Sequence, residues 1–329
     1  MNKFLPVVLI VLGVFQNGCY VIKQGAGQLR LRFGQVSITE AVLHEDNENY
    51  RQLLAAVSEA RQFAIRDVLL KESDTYSGYF STEEEGIAYI VTASKKSRLE
   101  PYTWWFPIVG SVPYKGFFNK KDALELEKEL QSNGHDTWLF AAPAYSSLGW
   151  FKDPITTPML KRGHYDLVES IIHEMTHTTV YINGEGDFNE QLASFVGQKG
   201  AVQYFQQHHI LTESQLDQIK ERRRLSSLFS QTARRYIPKL EEIYNESISY
   251  EEILRKRELV FSELVNEISV IYPHVPKKQW VFNNARMLQY RRYQSDSELF
   301  NEFWDASDQK WSGFWKLVYQ YIEEKGWNS

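Results

Sequence analysis

Residues 173–190 read HEMTHTTVYINGEGDFNE, and no other stretch limits so strongly what this chain can fold into. Upstream, YDLVESII places Leu167, Ile171 and Ile172 at helical spacing, so His173 and His177 fall one turn apart on a helix. Side chains at i and i+4 stand above one another on the same face, which brings both imidazoles toward one point in space. NGEGD then breaks the helix. NEQLASFVGQKGAVQYF resumes it, with Asp187 or Asn189 expected as the cap and Glu190 in the first turn. Ala193 and Gly197, three and seven residues beyond Glu190, keep that face small enough for two helices to pack closely. The fold must therefore hold a helix, a turn and a helix in which two imidazoles and a carboxylate face one another.

Such a set suits a metal ion. Zinc accepts nitrogen and oxygen ligands in tetrahedral geometry, and catalytic zinc sites use three protein ligands and leave the fourth position to water. H-E-x-x-H supplies two of the three, and Glu190 is the candidate for the third. Glu185 and Asp187 lie nearer in sequence but fall in the turn, where ligand geometry is looser, so they rank below it. Glu174 points to a neighbouring strip of the helix, placed to touch water held by the ion rather than the ion itself. Once a metal has lowered the pKa of that water toward about 7, a carboxylate there can take its proton and pass it to a leaving amine. The competing explanation, surface histidines on an ordinary helix, does not account for the apolar run before the motif or the Asn-Glu that opens the next helix.

Around this pair the pattern changes twice. From Thr39 to Leu70 apolar positions recur at helical spacing with an interruption at HEDNEN, which predicts two helices. Between about residues 85 and 145 the period becomes that of strands (IAYIVTAS, TWLFAA), with Pro and Gly punctuation in WWFPIVGSVPYKGFF and a helix in NKKDALELEKELQSNG. Beyond Pro158 the chain reads as helix, with the metal pair at about 165–206 and a C-terminal helical part at about 212–326. The expectation is a mainly helical α+β fold with a small β-sheet, forming one domain over residues 19–329.

The first 18 residues carry a different signal: Lys3, then FLPVVLIVLGVF, then QNGC. A basic start and an apolar run of this length form a secretory leader, too short to cross a bilayer comfortably as a helix. The single cysteine, Cys19, closes the run and is preceded by Gly18, which resembles a bacterial lipoprotein signal whose cysteine becomes the acylated first residue. Gln16 and Asn17 depart from that pattern, and the alternative is an uncleaved anchor or an ordinary signal in which Cys19 is a chance thiol. With one cysteine no internal disulfide forms, so stability rests on a core for which 43% hydrophobic and 14% aromatic residues suffice. A net charge of −5 with interspersed Lys, Arg, Asp and Glu argues against nucleic acid as a partner.

IIHEMTH followed by FNEQLASFVG, with FPIVGSVPYKGFF, AYSSLGWFKDP, FNNARM and the leading GCYVIKQGAGQLRL, resembles a bacterial family of aminopeptidases of the gluzincin type, over most of the chain. The resemblance implies a zincin-like peptidase domain, zinc on His173, His177 and Glu190, a catalytic Glu174, and a lipid-anchored protein of the bacterial envelope facing the periplasm, most simply on the outer membrane. Peptide is the implied substrate. The G-x-M-E-N segment by which well-known gluzincin aminopeptidases hold a free amine is absent, so exo- and endopeptidase action both stay open.

Four residues offer a donor for the developing oxyanion: Tyr114, Tyr145, His164 and Tyr181. Tyr114, in the Pro/Gly-shaped VGSVPYKG loop, is the choice. DTWLFAAPAYSS is the expected sheet edge against which a peptide could lie, and Asn283 or Asn284 is expected to cap a helix. Two other readings compete with a zinc peptidase: a non-catalytic envelope lipoprotein that binds peptide or protein, and zinc hydrolysis of another amide or ester.

Overall fold

The computed structural model describes residues 20, 23–106, 110–143, 153–292 and 297–327. After a helix at residues 23–33 (α1), the chain forms β1 (Val36–Ser37), α2 (Ile38–His44) and α3 (Glu48–Arg66). The last two are separated at HEDNEN, as their spacing predicts, because the Asn47 side chain accepts from the Tyr50 amide and restarts the helix. Then come β2 (Gly78–Phe80), β3 (Ala88–Lys95), β4 (Trp104–Phe106), β5 (Gly110–Val112), β6 (Lys115–Phe117), α4 (Lys120–Ser132) and β7 (His135–Ala142). β8 (Ile155–Thr156) and α5 (Thr157–Lys161) lead into α6 (His164–Thr179) and α7 (Gly186–His208). The remainder is helical: α8 (Glu213–Arg235), α9 (Ile237–Asn245), α10 (Tyr250–Ile271), α11 (Asn284–Arg292), α12 (Ser297–Ala306) and α13 (Trp311–Glu324). The fold is mainly helical α+β.

α7 explains how the core is arranged. Its buried residues, from Phe188 and Leu192 through Phe195, Val196 and Ala201 to Tyr204 and Phe205, cover most of the helix circumference, while Gln198 and Gln206 are exposed. A helix buried over so much of its surface has to be packed from several sides. It is: α3, α6, α12 and α13 pack around it in the largest apolar cluster, which includes Leu54, Phe63, Ile172, Phe300 and Phe314. A second cluster joins α8, α9, α10 and α11 through residues such as Tyr236, Leu240, Leu264 and Met287.

The sheet is where the period of two places it. β3 lies between β6 and β7, antiparallel to both, with Tyr89 opposite Phe117 on one side and Ala141 on the other. α4 covers it through Ala123 and Leu130. β7 is an edge strand, as expected of TWLFAA, although one of its carbonyls, that of Thr137, already accepts from the Asn283 side chain. The second sheet, β1-β2-β8 with β2 and β8 parallel, was not expected. Strands of two or three residues carry too few positions to show a period.

A buried polar network ties the sheet to the C-terminal helices. Arg257 of α10 pairs with Asp136 at 2.8 Å, and Asp136 also accepts from the Asn284 amide. Asn284, fully buried, spans the carbonyls of Lys95, Lys96 and Arg98 and accepts from the Tyr244 hydroxyl. Asn283 is the helix cap the sequence suggests, its side chain accepting from the Arg286 amide. No helix among the described residues is long and apolar enough to cross a membrane.

Candidate metal centre

The chain enters α6 through Gly163, whose φ of 91° suits glycine, and leaves it at Val180. The last turn is held by its own threonines: Thr176 donates to the Ile172 carbonyl, Thr178 and Thr179 to that of Met175. From outside, the Lys71 amide donates to the Thr179 hydroxyl. This keeps the helix intact as far as His177.

The return into α7 differs from the expectation. The helix starts at Gly186, its N-cap is Glu185 with no side-chain cap bond, and neither Asp187 nor Asn189 caps it. Asn189 instead turns inward, is buried, and holds both backbone groups of Ile182: its carbonyl oxygen accepts from the Ile182 amide and its amide donates to the Ile182 carbonyl, each at 2.8 Å. The loop between the helices is thereby fixed to the residue next to Glu190. A cap and a loop brace use the same residue type, which is why the spacing alone did not separate them.

Close packing of the helices follows from Gly197. A Cβ there would lie 3.0 Å from the Glu169 carbonyl oxygen and 3.1 Å from the His173 Cβ. At this crossing the structure brings together three of the predicted residues. The His173 and His177 Nε2 atoms are 3.2 Å apart, and Glu190 places one carboxylate oxygen 3.5 Å from the first and the other 3.4 Å from the second. Together they could hold one metal ion, and Glu185 and Asp187 are not part of the group.

Electrostatics agree with a preformed cation site. Hydrogen bonds from His173 first, then His177, hold the Glu190 carboxyl far below the usual carboxylate range. For His173 burial alone favours the neutral ring, but the bond to Glu190 and the nearby charges of Glu174 and Glu190 outweigh it and raise its pKa. Glu174 Oε2 and His177 Nδ1 are buried with no hydrogen-bond partner among the described residues.

The other candidates are scattered. Tyr114 sits in the loop between β5 and β6, 46% exposed, and makes no described contact with the three ligands or Glu174. His164 starts α6, nine residues before His173 and hence about 13 Å along the axis, and packs against Tyr204 and Phe205, so it cannot reach the site. Tyr181 has its ring 6.4 Å from that of His177. Tyr145 and Cys19 lie outside the described residues.

The sequence reading missed Tyr76. It is buried, has a φ of 60°, and its hydroxyl has no partner among the described residues; burial first, then the Glu174 charge, pushes that hydroxyl well above its ordinary pKa. Nothing in KESDTYSGYF distinguishes it from a turn residue.

No curated protein and no solved structure matches the chain. A family model described as "Putative aminopeptidase" matches residues 19–326, nearly the whole length. On that match the chain belongs to this aminopeptidase family.

Proposed function

We propose that the protein is a zinc-dependent peptide-bond hydrolase, with His173, His177 and Glu190 holding the ion and Glu174 as general base and acid. The observation that carries this reading is the grouping of the ligand atoms: the two imidazole Nε2 atoms stand 3.2 Å apart, with one Glu190 oxygen 3.5 Å from that of His173 and the other 3.4 Å from that of His177. Two zinc bonds of about 2.0–2.1 Å at a tetrahedral angle span about 3.3 Å, so the two imidazole nitrogens, and each of them with its nearer Glu190 oxygen, have the spacing of two ligands on one zinc ion. Two imidazole nitrogens and one carboxylate are a donor set of the catalytic kind, which leaves a position open.

Bound zinc supplies Lewis acidity, lowering the pKa of water toward about 7 and polarising a carbonyl. The protein's residues do the rest. Glu174 accepts a proton at its carboxylate, where an unpartnered oxygen is free to receive it, and returns it to the nitrogen of the leaving amine. Asn189 keeps Glu190 in register with the histidines. Tyr114, exposed on its loop, is the proposed donor to the oxyanion, a role that requires Tyr114→Phe to lower kcat with KM little changed. We also propose a single peptidase unit from residue 19 onward, and acylation of Cys19 that holds it at the bacterial envelope, facing the periplasm. Several acyl chains, each CH₂ contributing about 0.8 kcal/mol, anchor a protein stably without spanning.

The test is metal content and hydrolysis of peptides with free and blocked amino termini, for wild type beside Glu174→Gln. The reading expects about one zinc per chain in both proteins and cleavage by wild type alone; preference for free termini identifies exopeptidase action. Absence of zinc from both overturns it, and zinc without cleavage of any peptide assigns the site to binding or to another amide or ester.

A further inference from the structure

α1 has two unlike faces. On one side Gly27 lies directly against Phe118, where a Cβ would come within 2.0 Å of the ring, and Leu31 is buried with Phe80 and Ile87. The other side faces water, yet it is not polar. Ala26, Leu29 and Phe33 are all exposed, Leu29 by 53% and Phe33 by 78%. At 100° per residue the three fall within about 60° of one another around the helix, roughly opposite the buried face. Arg30 and Arg32 bracket this stripe, about 40° and 60° beyond its edges; neither forms an ion pair among the described residues, and the Arg30 guanidinium lies 5.8 Å from the centroid of the Phe80 ring.

Exposed apolar side chains are concentrated in this region. Of the sixteen large exposed hydrophobic residues described, Leu29, Phe33, Val36 and Leu43 fall within fifteen consecutive positions. Single exposed apolar residues need no explanation, whereas a helical stripe with flanking cations is the pattern of a helix lying in a bilayer interface, with acyl contact below and arginines reaching anionic headgroups at the rim. The chain that precedes α1 limits what can cover the stripe. Cys19, which follows the apolar run, lies four residues before Lys23. Four residues reach at most about 14 Å, so an acyl group on Cys19 would hold α1 within the headgroup layer.

We propose that the Ala26, Leu29 and Phe33 face of α1 lies on a phospholipid bilayer, with Arg30 and Arg32 on anionic headgroups, and fixes how the protein sits on its membrane. This rests on the reading of Cys19 as the acylated residue. The anchor then sets distance only, and the helix face sets orientation.

The experiment places a fluorophore on the purified full-length processed protein in phosphatidylglycerol-containing vesicles, at Ala26→Cys or, as control, at Val270→Cys, which replaces an 81% exposed valine. Brominated acyl chains should quench the label at 26 several-fold more than that at 270. Adding Leu29→Glu with Phe33→Glu, both on the outward face, should return the label at 26 to the control value. Equal, weak quenching at both positions overturns the proposal, as does a label at 26 shielded to the same degree without vesicles, which would assign the face to a second copy of the chain. Mass spectrometry of the same samples reports Cys19 acylation separately. If Cys19 is unmodified, the anchoring reading fails, while quenching at 26 with added vesicles still supports the docking face and its absence overturns it.

Discussion

Replacing Gly197 by alanine probes the crossing of the two helices that carry the site. An added Cβ would stand 3.0 Å from the Glu169 carbonyl oxygen, 3.1 Å from His173 Cβ and 3.3 Å from His173 N, whereas ordinary contacts begin at 3.4 Å. These neighbours are backbone or fixed to it, so relief means moving α7 from α6 by about 0.4 Å. Alanine in a helix interior favours folding by about 1 kcal/mol over glycine, and overpacking costs about 1–3 kcal/mol. The expected sum is a loss of about 1 kcal/mol in denaturant unfolding of the metal-free protein. Separation also lengthens the edges from Glu190 to both histidines, now 3.5 and 3.4 Å, so zinc affinity should fall about tenfold, since such sites tolerate shifts of about 0.5 Å poorly. Gly200→Ala is the control, because its Cβ would meet only side-chain carbons of the buried Ile172 and Val68, at 3.0 Å or more, and no ligand; overpacking there should cost about 1–3 kcal/mol of stability before the gain from alanine, with zinc affinity unchanged. Unchanged affinity and raised stability in Gly197→Ala would refute the close crossing as the device that forms the site.

Asn189→Ala removes the brace on the loop and leaves both polar groups of Ile182 without partners, a loss of about 2–4 kcal/mol in denaturant unfolding that should be accompanied by weaker zinc binding. Arg257→Met leaves Asp136 charged and buried, so unfolding should be easier by about 3–5 kcal/mol, yet zinc stoichiometry measured on the folded protein should not change, since the pair ties sheet to helices. In the metal-free protein the raised pKa of His173 contributes stability below about pH 6.5 that is lost as pH rises through its folded value. The depressed Glu190 contributes stability above about pH 4.3, lost as pH falls through its own folded value. The metal-free protein should therefore gain from this pair mainly between those limits in thermal unfolding across pH. A metal needs His173 neutral, so calorimetry near pH 6 in buffers of different ionisation enthalpy should detect release of about one proton on zinc binding, and no release would contradict the His173 assignment.

What could be read beforehand follows from how far each feature acts along the chain. His173 and His177 are one turn apart, so one helix is enough to bring them together, and the apolar rhythm around them announces that helix. Glu190 was reachable because only one short turn separates the helices and Gly197 signals a close crossing. Tyr76 is different: it reaches the core through a segment a hundred residues earlier whose composition is that of a turn, and only tertiary packing buries it. Asn189 was seen, but its role was not, since a cap and a brace differ in where the backbone goes rather than in residue type. The short parallel pairing of β2 with β8 likewise joins distant segments with no local pattern to mark it.

Zinc titration of the wild type beside Glu190→Ala and Glu185→Ala tests the central claim most directly. The account predicts about one ion per chain in wild type and in Glu185→Ala with equal affinity, and a loss of at least a hundredfold in Glu190→Ala. Retention of zinc by Glu190→Ala at wild-type affinity, or its loss from Glu185→Ala, would contradict it.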